Sequence, residues 1–314
     1  MRRERLDDDD DVDGEAGHVR LEPGDLVTVV APSGPVDADA LRRGVAVLEG
    51  WGLRVRVAPC AGGHCDPVLG YLAGPDTARA ADFGEAWADP EVRGVLCARG
   101  GYGAQRIIDL IDWGRVRAAG PKVFVGSSDI TALHAAVARR LDQVTLFGPM
   151  PAGTALSSDP ATAEALRRAL FEGLETVSAP DGEALVPGTA EGVLHGGTVT
   201  LLATSLDAFE GDPPHGDRIV FLEDIGEAVY RLDRFLTQML RAGWFDGVAG
   251  IVFGSFIDCG AEAELRAMLL DRLGPLDVPM LWGLPAGHGP TQLTLPFGAP
   301  AELSADDAVL RFPD

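Results

Sequence analysis

The chain has 314 residues, 46% of them hydrophobic and 24% charged, and a formal net charge of −22. It is long enough to bury a core without disulfides or metals. It is also too acidic to favour nucleic acid or anionic membrane surfaces. No apolar run approaches the roughly 18 residues of a membrane span. The charged start, Met1-Arg2-Arg3-Glu4-Arg5 and then acidic residues from Asp7 to Asp13, lacks the apolar segment of a secretory signal. We therefore expect a cytoplasmic protein with a solvated, disordered acidic tail over residues 1–20.

In chain order, Leu26 to Ala31 is a β-branched apolar run that predicts a buried strand, broken by Pro32-Ser33-Gly34-Pro35. Leu41, Val45 and Leu48 share one face of a helix predicted from Ala38 to Trp51, and Leu53 to Val57 forms the next strand. The alternation continues with a helix over Asp76–Ala88, a strand over Val92–Ala98 and a helix over Ala104–Ile111. A strand over Lys122–Gly126 and a helix over Ile130–Leu141 complete it. Strand–helix–strand units imply a parallel sheet, so residues 21–150 are expected to form an open α/β layer, Rossmann- or flavodoxin-like. Residues 151–188, rich in Pro, Gly, Ser and Ala around one helical piece, are expected to link it to a second, mixed α/β domain over 189–314. That domain holds strands at Arg218–Glu223 and Gly250–Gly254 and helices at Tyr230–Ala242 and Ala261–Leu273. Its tail, Thr291–Phe312, is read as partly antiparallel.

Four segments could carry chemistry. In Gly126-Ser127-Ser128-Asp129 a buried strand meets a helix start. This is the geometry of a nucleophile elbow, with the Asp129 amide free to act as an oxyanion donor. A serine helix cap fits the same residues, and Ile130 stands where the G-x-S-x-G pattern has glycine. Arg99-Gly100-Gly101-Tyr102-Gly103 follows an apolar strand. It reads as an anion nest or a plain tight turn, and its spacing is not the dinucleotide fingerprint. Glu223, Asp224 and Glu227 follow another strand, placed either to orient a histidine or to cap a helix. His288, between two glycines, has the backbone freedom of a reactive imidazole, whereas His134 reads as a packing residue. Cys60 and Cys65 lack a CxxC pair or a second Cys/His cluster, so they read as loop thiols and not as a metal site.

Together these segments resemble the LD-carboxypeptidase family, which also includes the microcin C self-immunity peptidases. The likeness runs through Ala31-Pro32-Ser33, Tyr71-Leu72-Ala73-Gly74, Arg99-Gly100-Gly101-Tyr102-Gly103 and Gly126-Ser127-Ser128-Asp129-Ile130-Thr131. It continues through Gly196-Gly197, Phe221-Leu222-Glu223-Asp224, Tyr230-Arg231-Leu232-Asp233-Arg234 and Gly287-His288. The resemblance implies a cofactor-free, metal-free serine peptidase in two α/β domains. Ser128 would be nucleophile, His288 base and Glu223 the acid of the triad, with Glu227 the weaker alternative. It also implies an oxyanion hole from the Asp129 amide and a glycine amide of the Gly100-Gly101 turn. The free carboxylate of such a substrate would fall to the helix start and the glycine loop, with Arg99 as a helper. The expected substrate is a murein tetrapeptide that loses its terminal D-alanine in peptidoglycan recycling, and the expected assembly is a homodimer. The family's microcin branch leaves aminoacyl-nucleotide hydrolysis as an alternative, and a non-catalytic peptide binder as another. Ser127 stands where family members often carry an aromatic residue, and the RGGYG loop resembles the carboxypeptidase branch more.

Overall fold

A computed structural model describes residues 19–63, 68–211 and 216–313. Strands β1 Leu26–Val30, β2 Arg54–Val57, β3 Val92–Cys97, β4 Val123–Gly126 and β5 Thr145–Phe147 run parallel in the order β2-β1-β3-β4-β5. This is the flavodoxin-like order, in which the chain reverses direction across the sheet between β1 and β3. The turns leaving the carboxyl ends of β1, β3 and β4 are Pro32–Pro35, Arg99–Gly103 and Ser127–Asp129, so topology alone brings three of the singled-out segments to one edge.

The later strands are β6 Thr176–Ser178, β7 Glu183–Val186, β8 Thr189–Thr198, β9 Arg218–Ile225, β10 Val248–Ile257, β11 Met280–Trp282, β12 Leu295–Phe297, β13 Pro300–Ser304 and β14 Val309–Arg311. All but β12 form a second sheet, ordered β6-β14-β13-β8-β9-β10-β11-β7, with β8 to β11 parallel and the flanks antiparallel. The protein is thus α/β in two domains, an N-terminal open parallel layer and a C-terminal mixed one. Strand β12 crosses over and pairs antiparallel with β5 at the edge of the first sheet. Its Pro296 is tolerated there because an edge strand has one side with no ladder to donate to.

Local chemistry sets the helix ends. The Asp37 carboxylate accepts the Ala40 amide at 2.7 Å and caps helix Ala38–Gly50, whose Leu41 and Leu48 are buried against the first sheet. Asp159 caps helix Pro160–Phe171 in the same way. On the other face of the sheet Phe83, Trp87 and Phe124 pack ring against ring, with centroids 5.5–5.8 Å apart. Truncating one of them to alanine should cost about 3–5 kcal/mol.

Two expectations change. Residues 104–111 are not an α-helix but turns ending in a 3-10 turn at Ile108–Leu110. The α-helix begins later, at Trp113, where the Asp112 carboxylate caps the Arg115 amide. Ile107, Ile108 and Ile111 are buried, which is the signal that had read as a helical face. Within 151–188 the structure has two helices, Thr154–Ser158 and Pro160–Phe171, whose Leu156, Leu166 and Leu170 join the core of the first sheet. Strands β6 and β7 then enter the second. Most of the predicted acidic tail, residues 1–18, falls outside the described residues, as do His18, His64, Cys65 and His215.

Candidate active site

Strand β4 ends at Gly126, Ser127 continues extended, and Ser128 turns with φ of 62° into a 3-10 turn that leads to helix Thr131–Leu141. A non-glycine residue in this region costs on the order of 1–3 kcal/mol and is held only where its surroundings over-determine it. The neighbouring side chain supplies part of that hold. Asp129 is buried and points inward, accepting the Ser33 hydroxyl at 2.6 Å and the Ala104 amide at 2.8 Å. It therefore ties the Ser128 turn to the β1 turn and to the segment after the glycine loop. Burial pushes its carboxyl above the usual range, against those two hydrogen bonds.

His288 reaches the same point from the loop between β11 and β12. Its Nε2 lies 2.9 Å from the Ser128 Oγ and its Nδ1 2.6 Å from Glu223 Oε2. A carboxylate at Nδ1 fixes the proton there and leaves Nε2 as the acceptor of the serine hydroxyl. Glu223 sits on β9 with no exposed surface. A Cβ on Gly287, which has φ of 100°, would stand 2.5 Å from Glu223 Oε2, so only glycine lets the loop close over the acid. Burial alone would lower the His288 pKa. The hydrogen bond to Glu223 and the charges of Glu223 and Asp224 outweigh it, and the imidazole is held above its ordinary value. Asp224 is turned away. It accepts Thr200 N–H and hydroxyl and its neighbour Ile225 N–H, and burial pushes it up to about 6.

The glycine loop approaches from the third side. A Cβ on Gly100 would lie 2.7 Å from the Ser128 Cβ, 2.9 Å from its Oγ and 3.3 Å from the Asp129 amide nitrogen. Gly101 beside it has φ of 120°. Arg99 is exposed and donates to the Gly100 and Pro35 carbonyls at 3.2 and 3.1 Å. The structure thus brings Ser128, His288 and Glu223 into one hydrogen-bonded run with Gly100 against the serine, while Arg99 and Gly101 lie on the same glycine loop and the Asp129 side chain points inward.

Glu227, the alternative acid, faces Arg231 at 3.2 Å instead. His134 is buried, bonding Thr145 Oγ1 at 2.8 Å and the Gly126 carbonyl at 2.9 Å, and burial lowers it to about 4. Cys60, Cys97 and Cys259 are buried free thiols. Among the described residues no three His, Cys, Asp or Glu side chains gather as a metal site, and no helix is long and apolar enough to cross a membrane.

Two participants escaped the sequence reading. Thr198, just past the Gly196-Gly197 pair, donates its hydroxyl to Glu223 Oε1. Arg79, wholly buried, bonds the carbonyls of Pro32, Gly74 and Gly103 and pairs with Asp76, which knits the loops around Ser128. Their only sequence signal is a hydroxyl after a Gly-Gly pair and a cation on the apolar side of a helix.

Residues 27–148 match the LD-carboxypeptidase N-terminal domain and residues 191–303 the LD-carboxypeptidase C-terminal domain. The chain belongs to the LD-carboxypeptidase family. A Streptomyces coelicolor relative is 51% identical over 293 residues, 93% of this chain and 94% of its own. The murein tetrapeptide carboxypeptidase of Pseudomonas aeruginosa is 31% identical over 291 residues, 89% of this chain and 93% of its own. Among solved structures, the muramoyltetrapeptide carboxypeptidase of Oxalobacter formigenes superposes with a TM-score of 0.79 at 28% identity, over 92% of this chain and 99% of that one. Both matched domains contribute to the hydrogen-bonded run: Ser128 lies in the first and Glu223 and His288 in the second.

Proposed function

We propose that the protein is a serine carboxypeptidase that removes the terminal D-alanine from murein tetrapeptides at an L,D-peptide bond, using Ser128, His288 and Glu223. The observation that carries this reading is the hydrogen-bonded run from Ser128 through His288 to the buried Glu223, at 2.9 and 2.6 Å, with Ser128 at positive φ. Relatives named for murein peptide cleavage supply the substrate class.

In this mechanism His288 Nε2 takes the Ser128 proton as Oγ attacks the scissile carbonyl, and Glu223 holds the resulting imidazolium. The Asp129 amide and an amide of the Gly100-Gly101 turn receive the oxyanion. Collapse breaks the C–N bond, and His288 returns its proton to the departing D-alanine amine. Water, activated by the same imidazole, then releases the shortened peptide. Arg99, at the mouth, is assigned the free carboxylate that a carboxypeptidase substrate must present. A cytoplasmic site of action, expected from the sequence, and a homodimeric assembly, implied by the family resemblance, complete the reading.

Mass spectrometry of a muropeptide digest tests it. The parent protein should convert tetrapeptide to tripeptide with loss of one alanine, and Ser128→Ala should not. Turnover retained by purified, folded Ser128→Ala would refute the nucleophile. Cleavage of an aminoacyl sulfamoyl adenylate with no action on the muropeptide would move the substrate to the microcin branch.

A further inference from the structure

Glu223 is a carboxylate with no exposed surface, and two side chains reach it. One oxygen takes the His288 Nδ1–H at 2.6 Å, and the other takes the Thr198 hydroxyl at 2.5 Å. Thr198 is itself buried and stands directly opposite Glu223 in the parallel register of β8 and β9, so the contact is built into the sheet.

Its backbone position makes the contact more telling. Thr198 is the residue immediately before helix Val199–Thr204, where threonine ordinarily spends its hydroxyl on capping the helix. Here it makes no capping bond. The Asp224 carboxylate accepts the Thr200 amide at 2.9 Å and does the capping instead. The Thr198 hydroxyl is thus released from a structural task and given to the acid.

The chain of hydroxyls extends to the other domain. Thr131, three residues after Ser128, accepts the Thr198 amide at 3.1 Å, and its own hydroxyl lies 3.5 Å from the Thr198 oxygen. The Thr198 hydroxyl donates to Glu223 Oε1, and its backbone amide donates to Thr131 Oγ1. Thr198 thus links the first turn of the helix after Ser128 to the far oxygen of Glu223.

We infer that Thr198 is a positioning residue of the active site, fixing the orientation of Glu223 and, with Thr131, holding the acid's strand in register with the nucleophile's helix. This rests on the Ser128–His288–Glu223 reading. Without the hydroxyl, one oxygen of a buried carboxylate loses its donor. Facing a carboxylate with one donor fewer, the His288 imidazole then binds its proton more tightly. The neutral imidazole that a base requires is reached only at higher pH. The carboxylate also gains freedom to rotate away from Nδ1.

Thr198→Val keeps the shape and removes the donor, and Thr198→Ser keeps the donor. Each is compared with the parent on a murein tetrapeptide across pH, and by the rate at which a fluorophosphonate labels Ser128, a readout independent of peptide specificity. The valine variant should lose about 10- to 100-fold in kcat with KM near the parent's. Its acid limb of kcat/KM should move to higher pH and its labelling should slow in parallel, while serine restores all three. An unmoved limb overturns the inference, as does a loss carried wholly by KM or by a lowered Tm, or a failure of serine to rescue. If valine prevents folding, Thr198→Ala is read by the same criteria. A parent that is labelled but does not cleave the muropeptide removes the substrate and leaves Thr198 to be judged on labelling. A parent neither labelled nor hydrolytic overturns the triad and this role with it.

Discussion

Gly100 and Ser128 touch across the cleft so closely that a methyl group on the glycine would have to occupy the space of the serine side chain, 2.7 Å from its Cβ and 2.9 Å from its Oγ. Gly100 does not have positive φ, so the conflict an alanine meets is steric, first with the Ser128 side chain and next with the Asp129 amide at 3.3 Å. Gly100→Ala should therefore fold, lose about 1–3 kcal/mol of stability to overpacking and lose at least roughly 100-fold in kcat/KM as Oγ is pushed from the imidazole. Urea melts beside steady-state kinetics check both halves. Near-parent activity would mean that the glycine loop stands farther from the nucleophile than described.

The pH profile follows from His288. Its pKa is raised because the pairing with Glu223 outweighs burial, and a general base must be neutral to act. Activity should rise from acid pH through an apparent pKa above the ordinary histidine value. Glu223→Gln removes the main cause of the shift. The limb should fall back towards acid while kcat drops on the order of 10³–10⁴-fold. The stability contribution has the opposite trend. A group that binds its proton more tightly when folded stabilises the protein fully below its unfolded pKa and ceases to do so as pH rises through the folded one. The pair thus contributes least to the fold where the enzyme works best. A kcat/KM titration of both proteins tests the limb.

Acid should weaken the fold through two other histidines. His134 and His195 are buried, and burial lowers both to about 4. The unfolded chain binds protons at these sites that the folded one refuses, so stability is lost as pH falls from about 6.5 towards 4. The cost is on the order of 3 kcal/mol per site. His195 stacks on Trp244 with centroids 6.4 Å apart, and His195→Phe should keep that packing and remove its share of the pH slope. Urea unfolding at a series of pH values measures it. An unchanged slope would refute the assignment.

Arg79 holds three loop carbonyls and Asp76 while fully buried. Arg79→Met should destabilise by about 3–5 kcal/mol, because it takes the donor from three buried carbonyls, while Asp76 keeps its pairing with Arg106. Since Pro32 and Gly103 belong to the turns beside Ser128, activity should fall even below the melting range. Thermal melts and kinetics at low temperature separate the two effects.

Much of the cleft was legible because its parts are local. A strand, a Gly-Ser-Ser-Asp turn and a helix occupy residues 123–141 without interruption, which marks the turn as an elbow or a cap, and the family resemblance then singles out Ser128. Helix Asp76–Ala88 was readable to its ends. Thr198 was not readable. Its importance comes from lying opposite Glu223, 25 residues later, and the β8 strand that sets this register alternates too little to announce itself. The run 104–111 misled because Ile107, Ile108 and Ile111 are buried by a neighbouring helix and not by a helical face of their own. The crossing of β12 was invisible too, since three residues around Pro296 carry no strand signal and gain their partner from β5, about 150 residues back.

That crossing bears on His288. The loop that carries the imidazole leaves from β11 in one sheet and lands on β12 in the other, so its two abutments stand on different domains. A drift of one half against the other would therefore carry His288 with it. In the proposed mechanism the imidazole is a strain gauge between the domains, and docking of the two sheets and alignment of the proton carrier become a single event.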